Sequence, residues 1–222
     1  MWCIGKITAP YRERMYGLCD LYGRPHDPQE PVVCLDEKSK QMLQCSRPDI
    51  GTRPGRDGHD ARQDYEYRRG GTCNIFVAVE PRGGHRETQV TARRTKVDFV
   101  HFVRGLLTGV YAAVRKVHLV VDNLNTHFAA SFHEVLGAGE ATALLHRIEF
   151  HYTPKHASWL NMAELEIGIM ERQCTGTRLG CAADVARELA SWQQQRNAEQ
   201  RGIKWGFSRA DADRKLGRHY VT

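Results

Sequence analysis

Two aspartates stand at the ends of short apolar runs, where a carboxylate is well placed to do chemistry. Asp36 follows Val-Val-Cys-Leu, and Asp122 follows His-Leu-Val-Val. Such runs predict buried strands, so each carboxylate needs a cation or hydrogen bonds to offset its lost hydration. The ends of neighbouring strands in an α/β sheet converge on one crevice, where ligands bind. The pair therefore indicates a binding site, although for either acid alone a turn-capping role is the simpler explanation.

A third acid lies in a segment that is typical of a helix start. In residues 154–164, Pro-Lys-His-Ala-Ser-Trp-Leu-Asn-Met-Ala-Glu, Asn161 and Glu164 are three residues apart and share a helix face. An acid in the first turn also suits the helix dipole, which is a purely structural explanation. Glu166 falls on an apolar stripe of the same helix, and periodicity alone does not decide which of the two glutamates faces a site.

Hydrophobic periodicity predicts the elements that position these acids. A helix over residues 12–22 is followed by a connector rich in Gly and Pro. The predicted strands are 31–36, 73–80, 86–91, 117–121 and 148–152, and the further helices are 95–111, 129–146 (interrupted near Gly137 and Gly139), 159–174, 182–199 and 208–216. Three antiparallel strands followed by strand-helix-strand units predict an α/β fold, a mixed five-stranded sheet with helices on both faces.

Composition narrows the class of protein. The 222 residues suffice for one domain or two small ones, with 41% hydrophobic and 26% charged residues, as in globular chains. A net charge of +6 favours anionic partners such as nucleic acid. No apolar run approaches the roughly 20 residues of a membrane span, and no signal peptide is visible.

Other classes of site lack their motifs. Seven scattered cysteines without a Cys-x-x-Cys pair predict reduced thiols, and His-Glu-x-x-His is absent, so we expect neither a disulfide framework nor a structural zinc site. The chain also lacks the Gly-Lys-Ser/Thr ending of a phosphate-binding loop and the Gly-x-Ser-x-Gly motif of serine hydrolases.

Three blocks of sequence carry a resemblance to a known family. They are Cys-Leu-Asp-Glu-Lys-Ser-Lys-Gln (34–41), Val-Asp-Asn-Leu-Asn-Thr-His (121–127), and His-Tyr-Thr-Pro (151–154) with Ser-Trp-Leu-Asn-Met-Ala-Glu (158–164). In this order and at element ends, they resemble a DDE transposase of a bacterial insertion sequence related to the mariner group. The resemblance extends from about residue 11 to the C-terminus, and it implies a ribonuclease-H-like fold.

The resemblance also implies a metal-dependent site. Asp36 and Asp122 match the two aspartates of the family's triad, and Glu164 matches its third acid, which favours it over Glu166. Three carboxylates suit two Mg2+ ions about 3.5–4 Å apart, with Mn2+ as a substitute, which together activate a water and relieve charge on the leaving oxygen. The expected reaction is cleavage and transfer of DNA strands without a covalent enzyme intermediate. Glu37, next to Asp36 in a strand, is expected to point to the opposite side.

Residues near the acids are candidates for supporting roles. The polar ones that can orient a metal ligand, a water or a phosphate are Asn123, Asn125, His127 and Asn161. For His127, an exposed position at a helix start is an equally open interpretation. The candidates for contacts with DNA phosphates are Lys38, Arg53, Arg56, Arg93, Arg94, Lys96 and Lys155, and Arg82 and Arg86 belong to the same basic segments. Ordinary solvated charge explains these basic residues equally well.

The region before Asp36 is short for a member of this family. Residues 1–30 are interpreted as an N-terminal helix and connector, and residues 31–222 as the catalytic domain. Relatives usually carry an N-terminal helix-turn-helix region that reads transposon ends, and one short helix cannot form that module. The sequence therefore predicts a truncated or split transposase.

Partners and location follow from the same resemblance. We expect DNA (transposon ends and target) as partner, with either a homodimer or a separate chain that carries the DNA-recognition domain, and no membrane. The expected location is the bacterial cytoplasm, with association to the nucleoid when the protein is bound to DNA. Two alternatives stay open at this point: a catalytically inactive DNA-binding remnant, and a host nuclease of the same fold such as a junction resolvase or ribonuclease H.

Overall fold

The computed structural model describes residues 5–48, 50–52, 65–123 and 127–221. Three predicted site residues, Asn125, Arg53 and Arg56, lie outside the described residues. The described strands are β1 (Val32–Cys45), β2 (Tyr67–Glu80), β3 (His85–Thr91), β4 (Val117–Val121) and β5 (Ile148–Tyr152). The described α-helices are α1 (Ala9–Gly23), α2 (Lys96–Thr108), α3 (Ala129–Leu136), α4 (Ala138–Leu145), α5 (Ala163–Met170), α6 (Ala182–Glu199) and α7 (Arg209–Leu216).

The strands form one mixed sheet in the order β3-β2-β1-β4-β5. The β1–β2 and β2–β3 pairs are antiparallel, and the β1–β4 and β4–β5 pairs are parallel. The predicted mixed five-stranded sheet is thereby confirmed. The prediction that the first strand spans 31–36 is wrong, because the ladder between β1 and β2 continues to the pair Cys45 and Tyr67. Hydrophobic periodicity marked only the buried part of β1, whereas main-chain pairing with β2 extends it through polar residues.

Both faces of the sheet are covered by helices, as predicted. Along β1, Val33 and Leu35 pack into a buried cluster with α2, α3 and α4, while Cys34 between them packs with α1, α5 and α7 on the other face. Such alternation is the period of two expected of a strand. Helix α6 covers the second face further along, where Leu189 and Trp192 join a third cluster with β2.

Helix α1 forms part of this core. Met15 and Leu18 are fully buried in the cluster that contains Cys34, and burying an aliphatic side chain of this size contributes about 1.5–3 kcal/mol. Next to α1, the backbone N–H of Ile7 donates to the carbonyl oxygen of His219 at 2.8 Å, which ties the start of α1 to the end of the described chain. The boundary between residues 1–30 and 31–222 stays a prediction.

Helix boundaries follow local signals. At the start of α2, Thr95 and Asp98 exchange side-chain and backbone hydrogen bonds in a capping box. The predicted interruption near Gly137 separates α3 from α4, and Gly137 adopts a φ of 79° that favours glycine. The predicted helix 159–174 is instead a short 3-10 turn, then α5, then a π-helical turn.

Among the described residues, no helix combines the length and apolar character needed to cross a bilayer.

Candidate active site

Sheet register brings the two aspartates together. The last paired residues of β1 and β4 are Cys34 and Val120. Asp36 and Asp122 each lie two residues beyond that pair in parallel strands, so they occupy corresponding positions at the same edge of the sheet. Neighbouring strands lie about 4.8 Å apart, which sets the scale of the gap between the two backbones.

Asn161 links the third acid to the first. Its buried side chain donates from Nδ2 to the carbonyl oxygen of Leu35 at 2.8 Å, and its Oδ1 accepts from the backbone N–H of Ala163 at 3.1 Å. One amide therefore joins the backbone just before Asp36 to the first residue of α5, which carries Glu164. The supporting role of Asn161 stays a prediction, and the contacts indicate that it would act through the backbone of β1.

The electrostatics of Asp36 reflect the neighbouring acids. Burial raises the pKa of its carboxyl group, and the negative charges of Asp122, Glu37 and Glu164 raise it further, to about 7. The backbone N–H of Glu37 donates to Asp36 Oδ1 at 2.8 Å and lowers the pKa in part. A half-buried carboxylate among like charges favours either a proton or a metal cation.

His127 lies buried between two of these acids and is not exposed at a helix start. Its Nε2 lies 2.7 Å from Oε1 of Glu37, and its Nδ1 lies 2.7 Å from Oδ1 of Asp122. The Phe99 ring covers the imidazole at a centroid distance of 4.5 Å. Burial alone would lower the pKa of His127, but the two carboxylates outweigh it and raise the pKa to about 9. The two carboxylates therefore favour the protonated ring, which is within ion-pair distance of Asp122.

Glu37 is a residue to which the sequence pattern assigned no role. Its carboxylate is buried against His127, with 3% of the side chain exposed, and it acts on Asp122 through that ring. The contact joins β1 to the segment after β4, which lies 90 residues further along the chain. No local motif signals this pair, because it depends on the packing of α2 over the sheet.

Asn123 connects the segment after β4 to helix α1. Its Oδ1 accepts from Nη1 of Arg14 at 2.9 Å, and its Nδ2 donates to the carbonyl oxygen of Thr153. Arg14 is thus a second neighbour of the site that sequence reasoning missed. The helix before β1 contributes to the position of the loop that carries Asp122.

Glu166 faces away from the three acids and has its own partners. The fully buried Arg86 donates from Nε to Glu166 Oε1 at 2.9 Å and from Nη2 to Oε2 at 3.2 Å. Nε of Arg196 lies 3.3 Å from Oε1 of Glu166. The suggestion that Arg86 belongs to a basic surface is therefore wrong, because its side chain is 0% exposed. Glu164, in contrast, is exposed at the start of α5.

The predicted DNA-contacting residues are spread over different surfaces. Lys38 pairs with Glu171 at 2.9 Å, and Lys96 pairs with Glu134. Arg93 and Arg94 are exposed between β3 and α2. Lys155 is exposed beside the acids. It lines a groove of about 430 Å3 with Glu164, Tyr11 and Trp159.

Comparison with known proteins agrees with this geometry. A family model described as a DDE superfamily endonuclease matches residues 31–185. The chain therefore belongs to this family of endonucleases. No curated protein matches the chain.

Solved structures show the same fold. The chain is similar to the Mos1 mariner paired-end complex with Mn and to the Mos1 strand transfer complex, each with a TM-score of 0.55 and 15% identity over 90% of this chain. It is also similar to the mariner Mos1 paired-end complex with Mg, with a TM-score of 0.51 and 14% identity over 100% of this chain. The implied ribonuclease-H-like fold is thus confirmed. The chain spans 60% of the Mos1 chain in the first two structures and 66% in the third.

Proposed function

We propose that this chain is the catalytic domain of a transposase that cleaves and joins DNA strands at a site formed by Asp36, Asp122 and Glu164. The observation that carries the proposal is the convergence of these acids from β1, the end of β4 and the start of α5. The raised pKa of Asp36, about 7, reflects burial first and then the charges of its acidic neighbours. Membership of the DDE endonuclease family, whose match covers residues 31–185, supports a nuclease site in this part of the chain.

The donor set fits Mg2+, with Mn2+ as a substitute. Carboxylate oxygens are the hard ligands that both ions accept, and a cation would relieve the repulsion around Asp36. Two of the similar structures are Mos1 complexes with Mn and with Mg. When bound by these three acids, Mg2+ would supply charge stabilisation and activation of the attacking oxygen during phosphodiester cleavage.

The chain's own residues prepare the site. His127, with Glu37 on its other nitrogen, holds the carboxylate of Asp122. Asn161 positions the start of α5, and thereby Glu164, relative to β1. Asp36 would hold such a cation as a carboxylate, since a nearby positive charge lowers its pKa. Positioning before the substrate binds reduces the reorganisation required during the reaction.

DNA is the proposed partner. The net charge of +6 favours a polyanion, and the similar Mos1 structures include a paired-end complex with a left transposon end. We propose that the chain acts on the ends and target of a bacterial insertion sequence, in the cytoplasm and at the nucleoid. A second copy or a separate chain would supply recognition of the transposon ends.

Nicking of supercoiled plasmid and Mg2+ titration by calorimetry test the proposal. Asp36→Asn, Asp122→Asn and Glu164→Gln should each lower cleavage by about 10³-fold, which corresponds to the loss of roughly 4 kcal/mol of transition-state stabilisation. DNA affinity, measured in parallel, should remain near that of the wild type. Glu171→Gln is the matched control, because this half-exposed acid directly follows α5 in the π-helical turn and pairs with Lys38.

Two outcomes would contradict the proposal. If Glu164→Gln still cleaves and folded Glu166→Gln does not, the third acid is wrong. If the wild type shows no saturable Mg2+ binding with DNA present, the chain is an inactive DNA-binding remnant. Cleavage of branched or hybrid substrates in preference to linear duplex would instead indicate a host nuclease.

A further inference from the structure

We propose that His118, Glu149 and His151 form a separate site for Zn2+ or a similar transition-metal ion, on the outer strands of the sheet. The proposal rests on these three residues and their neighbours, and it does not depend on the proposed DNA chemistry. Sequence motifs indicate no zinc site here, because the ligands come from two strands whose pairing no linear spacing records.

Sheet register places the three side chains on one face. His118 of β4 pairs with Glu149 of β5, and the next residue of the same face on β5 is His151. The residues that alternate with them on β5, Phe150 and Tyr152, pack with the buried cluster under α3 and α4. Strand alternation therefore directs Glu149 and His151 to the opposite face, together with His118.

The donor atoms have the spacing of a metal site. His118 Nδ1 lies 3.0 Å from His151 Nε2. The carboxylate of Glu149 lies 3.6 Å from His118 Nδ1 through Oε2 and 3.5 Å from His151 Nε2 through Oε1. A tetrahedral ion with bonds of about 2.0–2.2 Å separates its donors by roughly 3.3–3.6 Å. The two imidazole nitrogens, now at hydrogen-bond distance, would move apart by a few tenths of an ångström on binding the ion.

The carboxylate of Glu30 lies near the other ring nitrogen of His118, at ion-pair rather than hydrogen-bond distance. His118 Nε2 lies 3.9 Å from Oε2 of Glu30, in the connector between α1 and β1. Histidines that bind metals through one ring nitrogen usually present the other to a carboxylate, which orients the ring and increases its basicity. Glu30 is itself held by Arg115, whose Nη2 lies 3.0 Å from Oε1.

The ligand types favour zinc over magnesium. Two imidazoles and one carboxylate suit Zn2+ and related ions, whereas Mg2+ prefers oxygen ligands. Three protein ligands leave the fourth tetrahedral position to a water. Lys116 competes for Glu149 at 3.7 Å, but both side chains are about two-fifths exposed or more, and such surface pairs are weak.

The site is distinct from the three acids of the candidate active site. Asp122 follows His118 by four residues along β4 (122 − 118), a distance of about 13 Å at 3.3 Å per residue. A metal ion bound to His118, Glu149 and His151 would join the edge strand β5 to β4. The proposed role is therefore to brace the edge strand that leads to the segment with Asn161.

Titration of the untagged chain with Co2+ and Zn2+ tests the proposal, in an Asp122→Asn background that weakens metal binding at the acids. We expect one equivalent of Co2+ with the strong visible absorption of tetrahedral coordination, displaced by one equivalent of Zn2+. Zn2+ should also raise the melting temperature. His151→Gln and His118→Gln should abolish the signal, and Glu30→Gln should weaken affinity by roughly tenfold. His101→Gln, an exposed histidine on α2, is the matched control.

Each result decides the question. A spectrum of the parent Asp122→Asn chain without tetrahedral bands, or one that persists in both histidine variants, His118→Gln and His151→Gln, overturns the site. The His118 and His151 rings would then form only a hydrogen-bonded pair. Circular dichroism of each variant verifies its fold, and the parent Asp122→Asn chain provides a readout in which all three proposed ligands are intact.

Discussion

Glu164 and Glu166 lie two residues apart on helix α5, yet their charges are balanced in different ways. Glu166 is fully buried, and two arginines from β3 and α6 neutralise it. Glu164 is exposed, and its negative charge is one of those that raise the pKa of Asp36. Within one turn of helix, the charge of Glu166 is balanced by arginine side chains of the protein, whereas the charge of Glu164 adds to the negative charge around Asp36.

This contrast indicates which of the two glutamates is available to bind a ligand. A buried carboxylate that receives several charge-assisted hydrogen bonds already has its charge balanced and its acceptor oxygens used, so it has no free capacity for a ligand. An acid among other acids gains from a cation supplied by solution. Sequence spacing alone does not distinguish the two glutamates. The positions of the arginine side chains in the structure do.

The largest expected effect that tests this contrast is on stability. Glu166→Gln leaves Arg86 buried without its counter-charge, so the free energy of unfolding should fall by about 3–5 kcal/mol. Urea denaturation followed by circular dichroism measures it. Cleavage by the folded fraction, assayed below the melting temperature, should stay close to wild type.

A control and a double variant sharpen the same comparison. Glu171→Gln removes a half-exposed partner of Lys38 and should cost less than about 1 kcal/mol. Arg86→Met combined with Glu166→Leu should recover much of the loss seen in either single variant, because the unpaired charge of Arg86 is removed and Arg196 keeps Glu199 as a partner at 3.4 Å. If the single Glu166→Gln variant is as stable as wild type, the internal neutralisation of Glu166 is not important.

His127 offers a second way to test how acids are compensated, through pH. The folded pKa of about 9 lies above the ordinary value of 6.5, because the carboxylates of Asp122 and Glu37 outweigh burial. The folded chain therefore binds this proton more tightly than the unfolded chain does. Its contribution, on the order of 3 kcal/mol, is fully present below about pH 6.5 and is lost as the pH rises through about 9.

Denaturation in EDTA at about pH 6 and about pH 9.5 measures this linkage. Wild type should lose stability relative to His127→Gln over that interval. The exposed His101→Gln variant should follow wild type at both values. A wild-type and His127→Gln pair with the same pH dependence would contradict the charged bridge.

The smallest expected effect concerns Lys155, a cation beside the exposed acid. Lys155→Ala should weaken DNA binding a few-fold and reduce the slope of log affinity against log salt by roughly one, if its ammonium group contacts a phosphate. Lys38→Ala is the comparison, because Lys38 is already paired with Glu171. Fluorescence anisotropy over a series of salt concentrations measures both, and equal slopes for Lys155→Ala and wild type would remove Lys155 from the interface.

The mixed sheet and the three candidate acids could be predicted from the amino-acid sequence. Apolar runs with period two or no interruption mark the buried strands, and those runs end at Asp36 and Asp122. The order of apolar and polar residues is a local property of each segment, so it predicts the buried strands directly from the sequence. The order of elements then limits the sheet to few topologies.

The pairing of charged side chains could not be predicted and depends on the folded structure. The bridge from Glu37 through His127 to Asp122, the burial of Arg86 against Glu166, and the His118, Glu149 and His151 triangle all join residues distant in sequence. The extension of β1 to Cys45 likewise depends on its ladder with β2. Electrostatic and hydrogen-bonding partners are set by distances of a few ångströms in space, and those distances exist only once the sheet and helices have packed.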